Sequence, residues 1–290
     1  MALLKKQSTD KFIELMVEST PFLKLISFVQ LNEPVCSYPL VTLARYKTRG
    51  VSRTQVAALQ NVGETMINFS TKELVIPLVI PDSYIEDMNS NHTKVADYVA
   101  KVFAQDLQYL FLNGDTEEKG TTDEALLRKV MDGVTTQLIA ASKEVDYAED
   151  ATNLEKINTL VSALPDTALA DPNLKVLIGS SAYTELWNEI AGDSVAKSLY
   201  LVNGVIKVRG KIEVIEVPEL SKIIVINPAH IAGGICRDIN IEVQRYPEAR
   251  GNKVVGSCRV DLQVVPDFAV IEGDELDDDT TSTPPTGGDD

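Results

Sequence analysis

Cys36, Cys236, Cys258, His92 and His230 are the side chains of this sequence best suited to nucleophilic, redox or metal chemistry, and their spacing serves none of the three. No Cys-x-x-Cys pair occurs and the two histidines are isolated, so three cysteines fit free, buried thiols in a reducing compartment. The stretch "GGICRD", Gly233 to Asp238, comes nearest to a nucleophile's setting. No histidine lies near it to act as base, and Cys236 reads more simply as a structural thiol. Asp115, just past the helical run "VAKVFAQDLQYLFLNGDT", is a possible lead for an acid–base site, but no second polar cluster accompanies it. Trp187 shares a helical pattern with Tyr183, Leu186 and Ile190, which points to core before a ligand platform. A Gly-rich phosphate loop and a Gly-x-Ser-x-Gly elbow are both absent. Chemistry is therefore not what the residue types announce. The expectation is a protein with no catalytic, cofactor or metal site, the alternative being a cytosolic α+β enzyme whose site is scattered in sequence.

The elements around these residues say more. With 290 residues and 44% hydrophobic content the chain can bury a sizeable core as one large or two smaller domains. Met1 to Asp10 has no apolar signal core, and the richest apolar run, Leu74 to Ile80, is broken by Pro77 and too short to span a bilayer, so no membrane role is expected. The net charge is −16, and eight of the acids fall after Ile271 with no base among them, which leaves −8 on the rest. That tail, "DELDDDTTSTPPTGGDD", has almost nothing to bury and is expected to be disordered, as a solubilising tail or a docking segment for a basic partner.

Against the acidic background, "VTLARYKTRGVSR" carries Arg45, Lys47, Arg49 and Arg53 on a strand-like stretch reaching Gly50. It reads as a solvated hairpin or as one that reaches an acidic neighbour; nucleic-acid readout fits less well, since Tyr46 is its one aromatic residue and the net charge repels phosphate. Before it, Met1 to Asn32 holds two short apolar patterns that must pack on the body or on a neighbouring chain. After it, "STKELVIPLVIPDSYIED" reads as a proline-bearing edge strand. A long helix follows, with Val95, Val99, Val102, Phe103, Leu107, Leu110 and Phe111 on one face and Lys94, Asp97, Lys101, Gln105 and Gln108 on the other. Such a helix is about 30 Å long, and Asn113-Gly114 is expected to stop it with a left-handed glycine cap. Amphipathic segments are expected at Glu124 to Ser142 and at Asn153 to Leu164, a strand at "LKVLIG", a helix at "SAYTELWNEIAG", and a type I′ hairpin around Asn203-Gly204. Strands from Ile239 to Ile271, broken at "YPEARGN", complete an α+β layout.

In this order the sequence resembles the major capsid proteins of tailed bacteriophages. The phrases that carry the likeness are "STKELVIPLVIPDSYIED", the helix ending "LFLNGDT", "LKVLIGSSAYTELWNEI", "VRGKIEVIEVPEL" and the closing run from "ICRDINIEVQRYPEARGN" to "VVPDFAVIEG", over roughly residues 10 to 273. The resemblance implies a Hong Kong 97-type capsid fold. Its parts would be an N-terminal arm at 1–32, an extended β-hairpin loop at 33–71, a peripheral domain with a long spine helix at 72–123, an axial domain at 124–238, strands returning to the peripheral domain at 239–273 and the acidic tail at 274–290. It further implies a shell of pentamers and hexamers around double-stranded DNA, a portal, a separate scaffolding protein (no long helical segment precedes the arm), and a virion location after assembly in the host cytoplasm. Arg45, Lys47, Arg49 and Arg53 become candidate contacts between subunits. Some members of this family cross-link a lysine to an asparagine with help from a glutamate. Lys47 and Asn252 could correspond to that pair, but Arg259 stands where the glutamate is looked for. An encapsulin-like compartment that packages enzymes shares the fold and is the alternative.

Overall fold

Short apolar runs with β-branched residues, cut by turns, form fourteen described strands, and stripes at three- and four-residue spacing form the helices between them. A computed structural model describes residues 18, 20–42, 63–81, 92–148, 150–236, 240–246, 248 and 250–276. In chain order come β1 (Ser27–Leu31), β2 (Val35–Thr42), β3 (Gly63–Ser70), β4 (Lys72–Pro81), α1 (His92–Asn113), α2 (Asp123–Arg128), α3 (Val134–Ala140) and β5 (Glu144–Ala148). Then follow α4 (Asn153–Ala163), α5 (Asp166–Leu169), β6 (Lys175–Ile178), α6 (Ser180–Gly192), α7 (Ser194–Tyr200), β7 (Leu201–Val202), β8 (Val205–Val208) and β9 (Ile212–Glu216). Last are β10 (Ile224–Ile226), β11 (Ile231–Cys236), β12 (Asn240–Tyr246), β13 (Gly251–Val264) and β14 (Val270–Leu276). The chain forms two units, one of residues 1–137 and 228–265, the other of residues 138–227 and 266–290.

In the first unit β13 is the organising strand. It runs antiparallel to β11, β12 and β4, and β1 adds to β11 in parallel. Among the described residues β4 pairs with β13 alone, and its Pro77 and Pro81 suit that edge position as the sequence suggested. Phe22 and Leu23 are fully buried, so the end of the expected arm packs on this unit. Both glycines of "GGICRD" make room for rings. A Cβ on Gly233 would lie 2.9 Å from Phe28 and 3.3 Å from Phe111, and one on Gly234 would lie 2.8 Å from Phe69. The Phe28 and Phe111 rings then stack with centroids 6.4 Å apart.

The long helix α1 carries the expected buried stripe at Phe103, Leu107, Leu110 and Phe111, with Lys101 and Gln105 exposed. The side chains of Lys94, Val95, Asp97 and Val99 lie outside the described residues. Gln108 departs from the expected polar face. It is 4% exposed and its Oε1 accepts the Phe22 N–H at 3.4 Å, because the incoming chain at Thr20 to Phe22 covers that side of the helix. The stop after Asn113 also has a different cause from the one expected. Gly114 does not take a positive φ; it is needed because a Cβ there would meet the Met131 carbonyl oxygen at 2.2 Å. Gly133 presses from the other side, donating its N–H to Gly114 O at 2.9 Å, and this contact splits the expected Glu124 to Ser142 helix into α2 and α3.

In the second unit seven strands run in the order β5-β14-β10-β6-β9-β8-β7, with β5–β14 and β6–β9 parallel and the remaining pairs antiparallel. Ile157, Leu160, Val161 and Leu164 of the α4 stripe join Leu186 and Ile190 of α6 in one core with Val176, Ile178 and Val225. A capping box between Thr152 and Glu155 opens α4. Asn203 and Gly204 both take positive φ, as the type I′ turn requires, although the first arm is only Leu201–Val202 because Leu199 and Tyr200 finish α7. Two expectations fail here. Trp187 is 38% exposed, because the buried stripe of α6 passes through its neighbour Leu186. Asp274, Glu275 and Leu276, expected in the tail, belong to β14, where Glu275 pairs with Tyr147 and Leu276 with Ala148 past a bulge.

Candidate assembly elements

The hairpin β2–β3 stands apart as a two-stranded sheet, in register from Val35↔Ser70 to Thr42↔Gly63. One face carries Cys36, Ile67 and Phe69, which pack against Leu31, Ala232 and Val265. The other turns Val35 (70% exposed) and Met66 to solvent, and Ser37 donates to Asn68 Oδ1 at 2.7 Å. The neck of the hairpin closes on itself where the Thr71 N–H and hydroxyl both donate to Pro34 O, at 2.8 and 3.0 Å. It is tied to the sheet by the Ser70 N–H, which donates to Asp261 Oδ2 at 2.6 Å. Arg45, Lys47, Arg49 and Arg53 lie outside the described residues, as does the acidic run from Asp277. Asn252 sits in β13 between Ile80 and Arg245, and Arg259 stands opposite Glu73.

The end of α1 is a built structure. Arg128 donates from Nε to Asn113 O at 2.8 Å and pairs with Glu118 at 2.9 Å. Asp115 donates its N–H to Arg128 O, and Thr116 bonds Asp132 Oδ1 through both N–H and hydroxyl. Asp115 thus helps knit a turn, accepting the Glu117 N–H at 2.9 Å, in place of the acid–base role weighed for it. The three cysteines are free, Cys236 and Cys258 are buried, and burial pushes the Cys258 thiol far up, away from the thiolate a nucleophile needs. Among the described residues no three metal-binding side chains cluster, and no helix is long and apolar enough to cross a membrane. A cavity of about 510 Å³ in the second unit opens at the start of α6. Its Lys156 is engaged with Glu272 at 3.0 Å and lies 4.0 Å from the centre of the Tyr147 ring, and Glu272 also accepts the Ile223 N–H.

Neither a family model nor a curated protein matches the sequence. Solved structures do. The satellite phage P4 procapsid that includes the size determination protein contains a chain 12% identical, with a TM-score of 0.69 over 92% of this chain and 100% of that one. The capsid of cyanophage P-SCSP1u gives 14% identity and a TM-score of 0.55 over 89% of each chain. The holo-SrpI encapsulin complex from Synechococcus elongatus PCC 7942 gives 12% identity and 0.55 over 87% of each.

This chain has the Hong Kong 97-type fold.

At such identities the shared property is the fold, and the surfaces this Hong Kong 97-type chain offers are its own. Among the described residues its exposed large apolar side chains include Val35, Tyr38 and Met66 on the hairpin, Val75 and Val79 on the β4 edge, Leu126 and Ile139 on α2 and α3, and Trp187, Val195, Leu199 and Val202 on α6, α7 and β7. Sequence reasoning missed Asp261, Gln108 and the α6–α7 apolar set. An acid flanked by Val260 and Leu262 was the one available signal for the first of these.

Proposed function

We propose that this chain is a major capsid protein that self-assembles into the icosahedral head of a tailed phage around double-stranded DNA. The observation that carries the reading is the match to a phage procapsid chain, at a TM-score of 0.69 over 92% of this chain and 100% of that one. In this reading α1 is the spine helix of a thin shell, residues 33–71 are the extended loop that reaches a neighbour, and Arg45, Lys47, Arg49 and Arg53 meet acidic groups there. Residues 72–123 belong to the peripheral domain and 124–238 to the axial domain, and the strands after 239 return toward the peripheral domain. Many contacts, each weak alone, reinforce one another once pentamers and hexamers close into a shell. A separate scaffolding protein, a portal and packaged DNA bound without sequence readout are the partners, and the virion is the location, after assembly in the host cytoplasm.

Size-exclusion chromatography of the expressed protein tests this. Capsomers or megadalton particles are expected; a small, discrete oligomer under every condition would overturn it in favour of an enzyme-like protein. The encapsulin likeness supports a second reading, a compartment shell. Particles that co-purify with a cargo enzyme would favour that reading, and particles that take up DNA with packaging partners the first.

A further inference from the structure

Beyond its chain connections to β1 and β4, the hairpin β2–β3 is fastened to the first unit in two ways that differ in kind. Ile67, Phe69 and Cys36 hold it through apolar contact with Leu31, Ala232 and Val265. Such contact resists separation but is non-directional, so by itself it leaves the hairpin free to pivot. The directional tie is the Ser70 N–H, which donates to the buried carboxylate of Asp261 at 2.6 Å. Ser70 is the last residue of β3, and Thr71 beside it closes the neck on Pro34. The neck is therefore a closed loop that runs into the paired strands β1 at Leu31 and β4 at Lys72, and the Ser70 amide is where the end of β3 itself is bonded to the sheet.

Asp261 is built for this. Its cross-strand partner on β11 is Gly234, over which Phe69 and Leu31 fit, so the carboxylate lies beneath the hairpin's base. Both of its oxygens are used as acceptors. Oδ2 takes the Ser70 N–H and, at 3.3 Å, the Gln263 Nε2 amide; Oδ1 takes the Leu262 N–H at 2.8 Å. An asparagine has only one acceptor oxygen, so either Ser70 or Leu262 would face an amide NH₂. A buried acid is costly to keep without such donors, and two of the three come from β13 itself, which holds the carboxylate rigid toward the third.

We propose that Asp261 is the positioning residue of the hairpin, fixing through Ser70 the direction in which β2–β3 leaves the body. Resting on the capsid reading, this makes Asp261 a determinant of whether the extended loop meets its neighbour at the right angle.

Hydrogen exchange followed by mass spectrometry on the unassembled chain tests the pin independently of assembly. In Asp261→Asn, peptides covering 64–71 are expected to exchange at least about tenfold faster, as for loss of a bond to a charged acceptor, while α1 and the second unit keep their rates. Unchanged exchange at 64–71 overturns the proposal, and so does a uniform rise across the chain, which would make Asp261 a general stabiliser. Gln263→Leu removes only the longest bond and guards against a variant that fails to fold. It is expected to raise exchange at 64–71 by a smaller factor, and no change there counts against the pin equally. Under conditions where the wild type assembles, folded Asp261→Asn is expected to give fewer closed particles. A wild type that never assembles defeats the capsid reading and leaves the exchange result standing.

Discussion

Burial raises the Asp261 carboxyl above the ordinary carboxylate range, and the bonds from Ser70, Leu262 and Gln263 together with the charge of Lys72 oppose that shift only in part. The folded state therefore holds its proton more tightly than the unfolded chain does. Stability carried by this group is full below the unfolded value and is lost as pH rises through the higher folded value. Urea unfolding in a pH series, wild type against Asp261→Asn, should show the wild type losing stability relative to the variant as pH climbs out of the ordinary carboxylate range; parallel curves would contradict it. On α1, Leu107 is fully buried and Gln105 is exposed two residues away. Leu107→Ala should cost about 2–5 kcal/mol as a cavity-forming change, and Gln105→Ala roughly 0.5 kcal/mol or less. Equal, small effects in urea unfolding would mean the buried side of the helix has been misassigned.

The elements depend on where backbones come close. Gly114 ends α1 against Met131 and Gly133, a contact that leaves no room for a methyl group. Gly114→Ala should therefore destabilise by about 1–3 kcal/mol through overpacking, whereas Gly204→Ala, with open space around it, should show only the cost of its positive φ. A thermal melt of each variant separates the two causes. The same distinction explains what was legible in the sequence. The stripe of α4, the Asn203-Gly204 turn and the edge position of β4 rest on local periodicity, turn chemistry and proline, and each was readable. The burial of Gln108, the φ of Gly114, the break between α2 and α3 and the exposure of Trp187 are set by what packs nearby, which no local pattern carries. Asp274 to Leu276 looked like tail because acids dominate them, yet pairing with β5 recruits them as strand. Among the assembly elements, the alternation from Val41 to Arg53 overlaps the hairpin's stem only at Val41 and Thr42, and its place within 33–71 came from the family resemblance; the pin at Asp261 was not readable, since Ser70 and Asp261 are far apart in sequence.

At the scale of the whole molecule, a lone chain leaves Val35, Met66, Val75, Val79, Trp187, Val195 and Leu199 in water. The charges are uneven: four bases with no acid from Arg45 to Arg53, against a net of −16. Reversing Arg45, Arg49 and Arg53 to glutamate should leave a soluble, folded subunit whose particle yield falls at least about tenfold, because like charges then face one another at the contact. Normal yield would remove the hairpin's charge from the account. The most direct test of the central claim is negative-stain electron microscopy of the purified wild-type protein. Closed, evenly sized shells or five- and six-membered rings are the expected result, and a field of small, discrete particles under every salt and concentration tried would contradict assembly as this chain's function.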